Sequence, residues 1–479
     1  MERVRRRFWT RAITALAVLV ILVASASGLF QIAVQAVPGY RTDIENYVSE
    51  ITGRPVRIGK LDLTWRYTYP SLDLGQVALM DGDGKSVLLQ AERLRLGFSL
   101  RRLLQQNFAP NRLELQGLTL EVDIDPDGRI SAPGWPVDSA SSGGPGLAPL
   151  ATFDSLRLER CRLNLTDRRR GPGPARTEPW SFGLAYAELS RGLLRSKLES
   201  ELILPVSLGE SARVSAALQG DWLDLATWSG DWSAEVTSVN AATWLAPWLA
   251  PGAELSAEGL TVRVEGELQA GVVKSIDVAV ESGPVRASRS PHTARFETLR
   301  AAVSATFSGE GWDARLTRFE LDGPQGPSPE TRIHVAATKA ADRTTYEGTA
   351  QDIRLSDFAP WMRLLQVPDP LLALDRLSGD VDKLSFRVAD VAGELRYQAQ
   401  LDFRQLALPA GDRAVGAAGL SGELAVDETG GRVLLQPAPA RLQLPGLLEI
   451  GDIAVDELEG EAQWRKEIGR ASCRERVCT

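Results

Sequence analysis

Acid–base, metal and nucleophilic chemistry near neutral pH draws first on histidine and cysteine, and this chain has few of either. Its 479 residues include two histidines, His292 and His334, far apart and in strand-like surroundings. Its three cysteines are Cys161, Cys473 and Cys478. Cys161 alternates with Leu163 and Leu165, which predicts a small buried residue on a strand. Asp125 and Asp127 form an acid pair, but within Asp125-Pro126-Asp127-Gly128, where turn chemistry asks for aspartate on backbone grounds alone. There is no G-x-S-x-G elbow, no P-loop and no H-E-x-x-H helix. Catalysis is not expected, and no cofactor and no metal is implied. The net charge of −8 argues against nucleic acid as a partner.

The residues that remain informative are apolar, and their spacing says which elements must hold them. At the N-terminus Arg3, Arg5, Arg6, Arg7 and Arg11 form a basic cluster, followed by no charge from Ala12 to Tyr40. That stretch, with Ile13, Leu16, Leu19, Leu22, Leu29 and Phe30, is long enough for a helix across a bilayer, which needs about 20 apolar residues. The arginines stay on the cytoplasmic side, so everything after residue 40 is expected outside the cytoplasm. Ala24-Ser25-Ala26 has the form of a signal-peptide cleavage site. The apolar stretch continues past it, which suits an uncleaved anchor; both readings export the body of the protein.

After Pro38-Gly39-Tyr40, Thr42 and Glu45 have capping-box spacing, and Ile44, Tyr47, Val48 and Ile51 fall at helical spacing up to Gly53. From Pro55 the period changes to 2. Val56 and Ile58, Leu61 to Trp65, and Leu72 to Leu79 lead to an Asp81-Gly82-Asp83-Gly84 turn. Leu94, Leu96, Phe98 and Leu100 follow. Then come Leu113 and Leu115, a skip at Gln116-Gly117, and Leu118, Leu120, Val122 and Ile124. A stretch rich in Gly, Pro and Ser reads as a loop or linker, after which Leu156, Leu158, a skip, Cys161, Leu163 and Leu165 echo the earlier pattern. Alternation then continues to Leu420–Val426, interrupted by helical inserts at 241–249 and 356–365, whose Trp and Met residues read as packing anchors.

This pattern predicts a mainly β chain: an N-terminal transmembrane helix, then an elongated, curved antiparallel sheet with short helical inserts. One face of that sheet is apolar, and leaving it bare costs about 25 cal/mol per Å². It must meet a second layer, as in a closed sandwich, or lipid. The candidate lining is Leu94, Leu96, Phe98, Leu113, Leu115, Leu118, Leu120, Val122, Leu156, Leu158, Leu163 and Leu165.

Val37-Pro-Gly-Tyr-Arg41, Ile51-Thr-Gly-Arg-Pro-Val-Arg-Ile-Gly59, Leu63-Thr-Trp65, Pro70-Ser-Leu-Asp-Leu74 and Met80-Asp-Gly-Asp-Gly84 together resemble the N-terminus of AsmA-like proteins. Gly419-Leu-Ser-Gly-Glu-Leu424, Gly430-Gly431 and Val455-Asp-Glu-Leu-Glu-Gly460 to Trp464 resemble the repeat of the YhdP-type members. The resemblance implies an inner-membrane, single-pass protein of Gram-negative bacteria. Its N-terminus would be cytoplasmic and its body a periplasmic, chorein-like β-groove. It implies phospholipid transfer towards the outer membrane and upkeep of the permeability barrier, with membrane phospholipids and other envelope proteins as partners. A scaffold or assembly factor that carries no lipid is the alternative.

On this reading the chain divides into a cytoplasmic basic tail (1–11), an anchor (12–36), an AsmA-like N-terminal β region (37–135), a linker (136–150) and repeated β-groove segments (151–466). The last stretch, 467–479, is expected to be foreign. Ile468 to Val477 reads like the conceptual translation of a common DNA-sequencing adapter, so the natural protein is expected to continue past Lys466.

Overall fold

The computed structural model describes residues 37–52, 54–66, 69–81, 84–124, 130–131, 153–168, 180–192, 194–221, 224–340, 343–366, 376–391, 394–410, 416–443 and 452–465. The arginine cluster, the anchor segment, the Asp125/Asp127 turn, the linker and the terminal stretch lie outside these residues. Among the described residues no helix is long and apolar enough to cross a membrane. The chain forms two units, residues 1–170 with 174–203, and residues 171–173 with 204–479.

In the first unit a 3₁₀ turn (Val37–Tyr40) leads into helix α1 (Arg41–Thr52). Ile44 and Val48 pack on Val56, Ile58, Leu61 and Leu74 of the sheet, so the helical period is read correctly. Glu45 does a different job from the capping box expected of it. Its Oε1 accepts from the Ile58 N–H at 2.6 Å, and Ser49 Oγ accepts from the Val56 N–H at 2.9 Å. The helix thereby occupies donors that an edge strand would otherwise leave open to another chain.

The strands of this unit are β1 (Val56–Arg66), β2 (Tyr69–Met80), β3 (Val87–Gly97), β4 (Arg112–Gln116), β5 (Thr119–Ile124), β6 (Ile130–Ser131), β7 (Ser155–Asp167), β8 (Trp180–Arg191) and β9 (Ser196–Ile203). They pair in the order β1, β2, β3, then β4 with β5, then β7, β8 and β9, while β6 pairs with β5. β3 stops at Gly97, and Leu100 opens helix α2 (Leu100–Leu104) rather than extending the strand, because a run of Leu and Arg, all strong helix formers, follows Ser99, whose side chain makes no capping bond.

The sheet departs from the expected all-antiparallel order at one place. β4 and β5 both run parallel to β7, with Leu113 opposite Leu156, Leu115 opposite Leu158, Leu120 opposite Leu163 and Val122 opposite Leu165. The two copies of the sequence pattern are thus side-by-side neighbours. Their shared skip is a shared bulge: Gly117 has φ 66° and Arg160 has φ 51°. A Cβ at Gly117 would come within 2.3 Å of Glu92 Cγ. The break also passes through Gln76 (φ 54°) on β2, and β8 and β9 slip register between Leu184 and Tyr186. The strands from β1 to β8 take their extra residue at the same level, and β9 runs on without one, so the apolar residues beyond the break stay on one face.

The second unit is a meander of antiparallel neighbours: β10 (Ser211–Gln219), β11 (Ser229–Thr237), β13 (Thr261–Gln269), β14 (Val272–Ser282), β17 (Thr298–Ser308), β18 (Gly311–Gly323), β20 (Arg332–Lys339), β21 (Arg343–Arg354), β22 (Ser378–Val391), β23 (Glu394–Leu408), β24 (Gly416–Asp427), β25 (Gly430–Gln443) and β26 (Asp452–Arg465). The short β19 (Gly326–Pro327) pairs with the end of β18. A separate small sheet of β12 (Glu254–Ala257), β15 (Val285–Arg289) and β16 (His292–Phe296) joins α3 (Ala241–Leu245) and α4 (Leu355–Leu364) in a lobe. Asn240 caps α3 by accepting from the Thr243 N–H. The lobe's core holds Val285, Phe296, Leu321 and Leu364, with Phe296 stacked on Trp361 and Phe319 on Phe358. The anchoring role expected of Trp361 is observed.

Candidate functional site

Directly opposed residues on neighbouring strands share a face, so the registers trace what each face carries. In the first unit one line runs Leu63, Leu72, Leu96, Leu113, Leu156, Leu189 and Leu198. The next runs Leu61, Leu74, Leu94, Leu115, Leu158 and Ala187. Past the bulge, Leu120, Leu163 and Phe182 form a third line, and Val122, Leu165 and Trp180 a fourth. The structure therefore gathers ten of the twelve expected lining residues onto one face. Phe98 lies just beyond β3, its N–H bonded to Pro70 O, and Leu118 sits in the break between β4 and β5. Neither belongs to the strand ladder.

The covering of this face is uneven. Under α1, Leu61 and Leu74 are shut from solvent. From Leu113 to Leu165 the same face is half-buried, each side chain shielded on its flanks by neighbours in the layer. Cys161 lies buried among these residues with a free thiol, which burial pushes above its usual pKa, and its Sγ–H donates to Glu159 O at 3.4 Å. That is a packing role, as the alternation indicated.

The reverse face is charged. Asp73, Arg95, Glu114, Arg157 and Glu188 stand in successive strands. Arg95 is buried and reaches Asp73 at 2.6 Å and Glu114 at 2.8 Å. A polar concavity of about 540 Å³ is lined by Arg95, Glu114, Asp154, Arg157 and Glu188. Its charges are largely paired, as with Arg102–Asp154 at 2.9 Å.

In the second unit the same tracing gives an unbroken apolar line from β10 to β26: Val214, Ala234, Val264, Val278, Val303, Leu316, Ile333, Ala350, Leu384, Leu401, Leu424, Val433 and Ala462. An adjoining line includes Trp232, Ile276, Val335, Phe386, Val426 and Trp464. On the other face the opposed residues include Ser215, Ser233, Glu265, Asp277, Ser304, Arg315, His334, Thr349, Ser385 and Gln400. Much of the apolar side stays in contact with solvent, with Val303 37 % exposed and Trp464 38 %. These strands were legible as alternating stretches, but only their cross-strand registers show that the apolar residues form continuous lines.

His334 lies on the polar face, where its Nε2 bonds to Asp313 Oδ2 and Asp313 is held by Arg315 Nε at 3.2 Å. His292 lies on β16, in the lobe. Among the described residues no group of three or more His, Cys, Asp and Glu is placed to hold a metal ion.

The sequence that builds this sheet matches a known family. The model described as YhdP protein covers residues 1–474. The chain belongs to the YhdP family. No curated protein and no solved structure matches it. Membership of the YhdP family suggests an envelope protein related to lipid transport.

Proposed function

We propose that this YhdP-family chain is an inner-membrane-anchored, non-catalytic bridge that carries phospholipid through the periplasm towards the outer membrane and so maintains the permeability barrier. Residues 12–36 are its single anchor, with the basic tail in the cytoplasm. The observation that carries the reading is the apolar line from Val214 to Ala462, continuous across the strands of the second unit and half-open to solvent. Acyl chains need a continuous surface on which to leave water, and head groups need none. The face supplies the first need without a catalytic residue.

The test replaces Leu115 or Leu120 with Glu. Phospholipid transfer between membranes is expected to stop while the protein stays membrane-attached; normal transfer would remove these positions from the path. A scaffold that binds envelope proteins is the competing reading. It is favoured by Trp244 and Trp248, 50 % and 60 % exposed on the lobe, because exposed tryptophans often anchor protein interfaces. Native mass spectrometry of the detergent-extracted chain separates the two. A bridge retains phospholipid, whereas a scaffold retains protein and no lipid.

A further inference from the structure

The large rings on the second apolar line share one arrangement. Trp232 stands opposite Gly266, Phe386 opposite Gly348 and Trp464 opposite Gly431. A Cβ added to these glycines would lie 2.8, 2.3 and 2.2 Å from a carbon of the facing ring. There is no room for a methyl group, so each ring lies down over the neighbouring strand instead of standing off the sheet. All three belong to the face whose first line is unbroken from β10 to β26.

We propose that these glycines keep the rings flat so that acyl chains can slide over them, and that Gly348 with Phe386 sets the clearance in the interior of the second unit. The proposal deepens the lipid-carrying reading and rests on it. A ring over glycine also shields backbone and steadies a sheet, and that role alone would leave passage indifferent to ring tilt. Adding a side chain at Gly348 forces the Phe386 ring up. The nearest obstructing atoms are the far end of a rotatable side chain, and the one backbone neighbour, His334 O at 3.2 Å, needs to give by only a few tenths of an ångström.

The experiment uses the full chain in membranes whose phospholipids carry radiolabelled phosphate. A photo-crosslinking benzophenone residue is placed at Val278 or at Leu424, two positions of the first line on either side of the Gly348–Phe386 pair. The unaltered chain is expected to give a phospholipid adduct at both. Gly348→Val should lower the adduct at Leu424 roughly tenfold, the scale of a modest overpacking cost, and leave Val278 unchanged. Adding Phe386→Ala should restore Leu424, since the obstruction is then gone. An undiminished adduct at Leu424 in Gly348→Val would overturn the proposal, as would a loss that Phe386→Ala does not rescue. No adduct at either position of the unaltered chain would remove the lipid-carrying reading itself, and the proposal with it.

Discussion

β17 and β18 pass through two environments along their own length. At one end Leu299 and Leu321 lie beneath the lobe, with Leu321 1 % exposed. At the other end Phe307 and Trp312 face each other across the hairpin, 39 % and 36 % exposed. The alternation is the same throughout; only the Thr317 bulge interrupts it, where register shifts between Ala302 and Val303. Strand periodicity decides which face is apolar and has no say in what covers it. The cover comes from segments between strands, with helical period in α3 and α4 and a small hairpin of their own in β15 and β16. The first unit repeats the lesson, since α1 seals Leu61 and Leu74 while Leu158 on the same line stays half-open.

If the lobe end is a true core and the far end an open surface, the same truncation must have unequal consequences. Phe296 is 2 % exposed and stacked on Trp361 at 5.5 Å. Phe296→Ala is expected to cost about 3–5 kcal/mol, the usual loss for a buried aromatic. Phe307→Ala should cost less than about 1.5 kcal/mol, because much of that ring already meets water. Urea unfolding of the two variants checks this. Equal losses would mean that the far end is covered too, and the picture of an open face would fail.

How much of this was legible in the sequence follows from the same contrast. The alternating residues from Leu94 to Leu165 identified the apolar face, because side-chain direction in a strand is a local property. The parallel pairing of β4 and β5 with β7 was not legible, although the repeated skip at Gln116-Gly117 and Glu159-Arg160 was its trace. Repetition shows that two segments are alike and leaves open whether they lie side by side. Phe98 and Leu100 were read as a continuing strand because the apolar alternation runs on past Gly97. What stops the strand is the helix-forming run after Ser99. Glu45 was misread for a similar reason: its spacing from Thr42 is local, whereas its partner, the Ile58 N–H, is 13 residues away.

Within the first unit the comparison sharpens with one residue type. Leu74 is 3 % exposed beneath α1, and Leu158 lies on the same cross-strand line without that helix above it. Leu74→Ala is expected to destabilise by about 3 kcal/mol through lost burial and a residual cavity. For Leu158→Ala the loss should be about 1 kcal/mol, since a half-exposed side chain gives up less transfer free energy and leaves a notch that water fills. Thermal unfolding of the paired variants measures the difference. A Leu158→Ala variant as damaged as Leu74→Ala would show a second cover over β7.

The smallest effect concerns what the lobe's cover costs. Asp357 stands in the first turn of α4, 6 % exposed, and its Oδ2 is buried without a hydrogen-bond partner. Burial pushes its carboxyl above the usual range. Arg354, 3.9 Å away, pulls it back, and Asp380 adds to the rise. A carboxyl that titrates higher in the folded than in the unfolded chain holds its proton better when folded. Raising the pH from the unfolded value of about 4 through the raised folded value therefore removes stability. Asp357→Asn takes that dependence away. The helix N-terminus favours a negative charge by roughly 0.3–1 kcal/mol, against the larger cost of keeping a buried carboxylate charged, which the neutral amide escapes. Burial wins that balance. Asp357→Asn is expected to gain about 1 kcal/mol at neutral pH. The difference between the two proteins' stability curves should shrink towards acid, where the aspartate is protonated in both states. Loss of stability at neutral pH would mean that Arg354 and the helix terminus hold the charge more firmly than the cover opposes it.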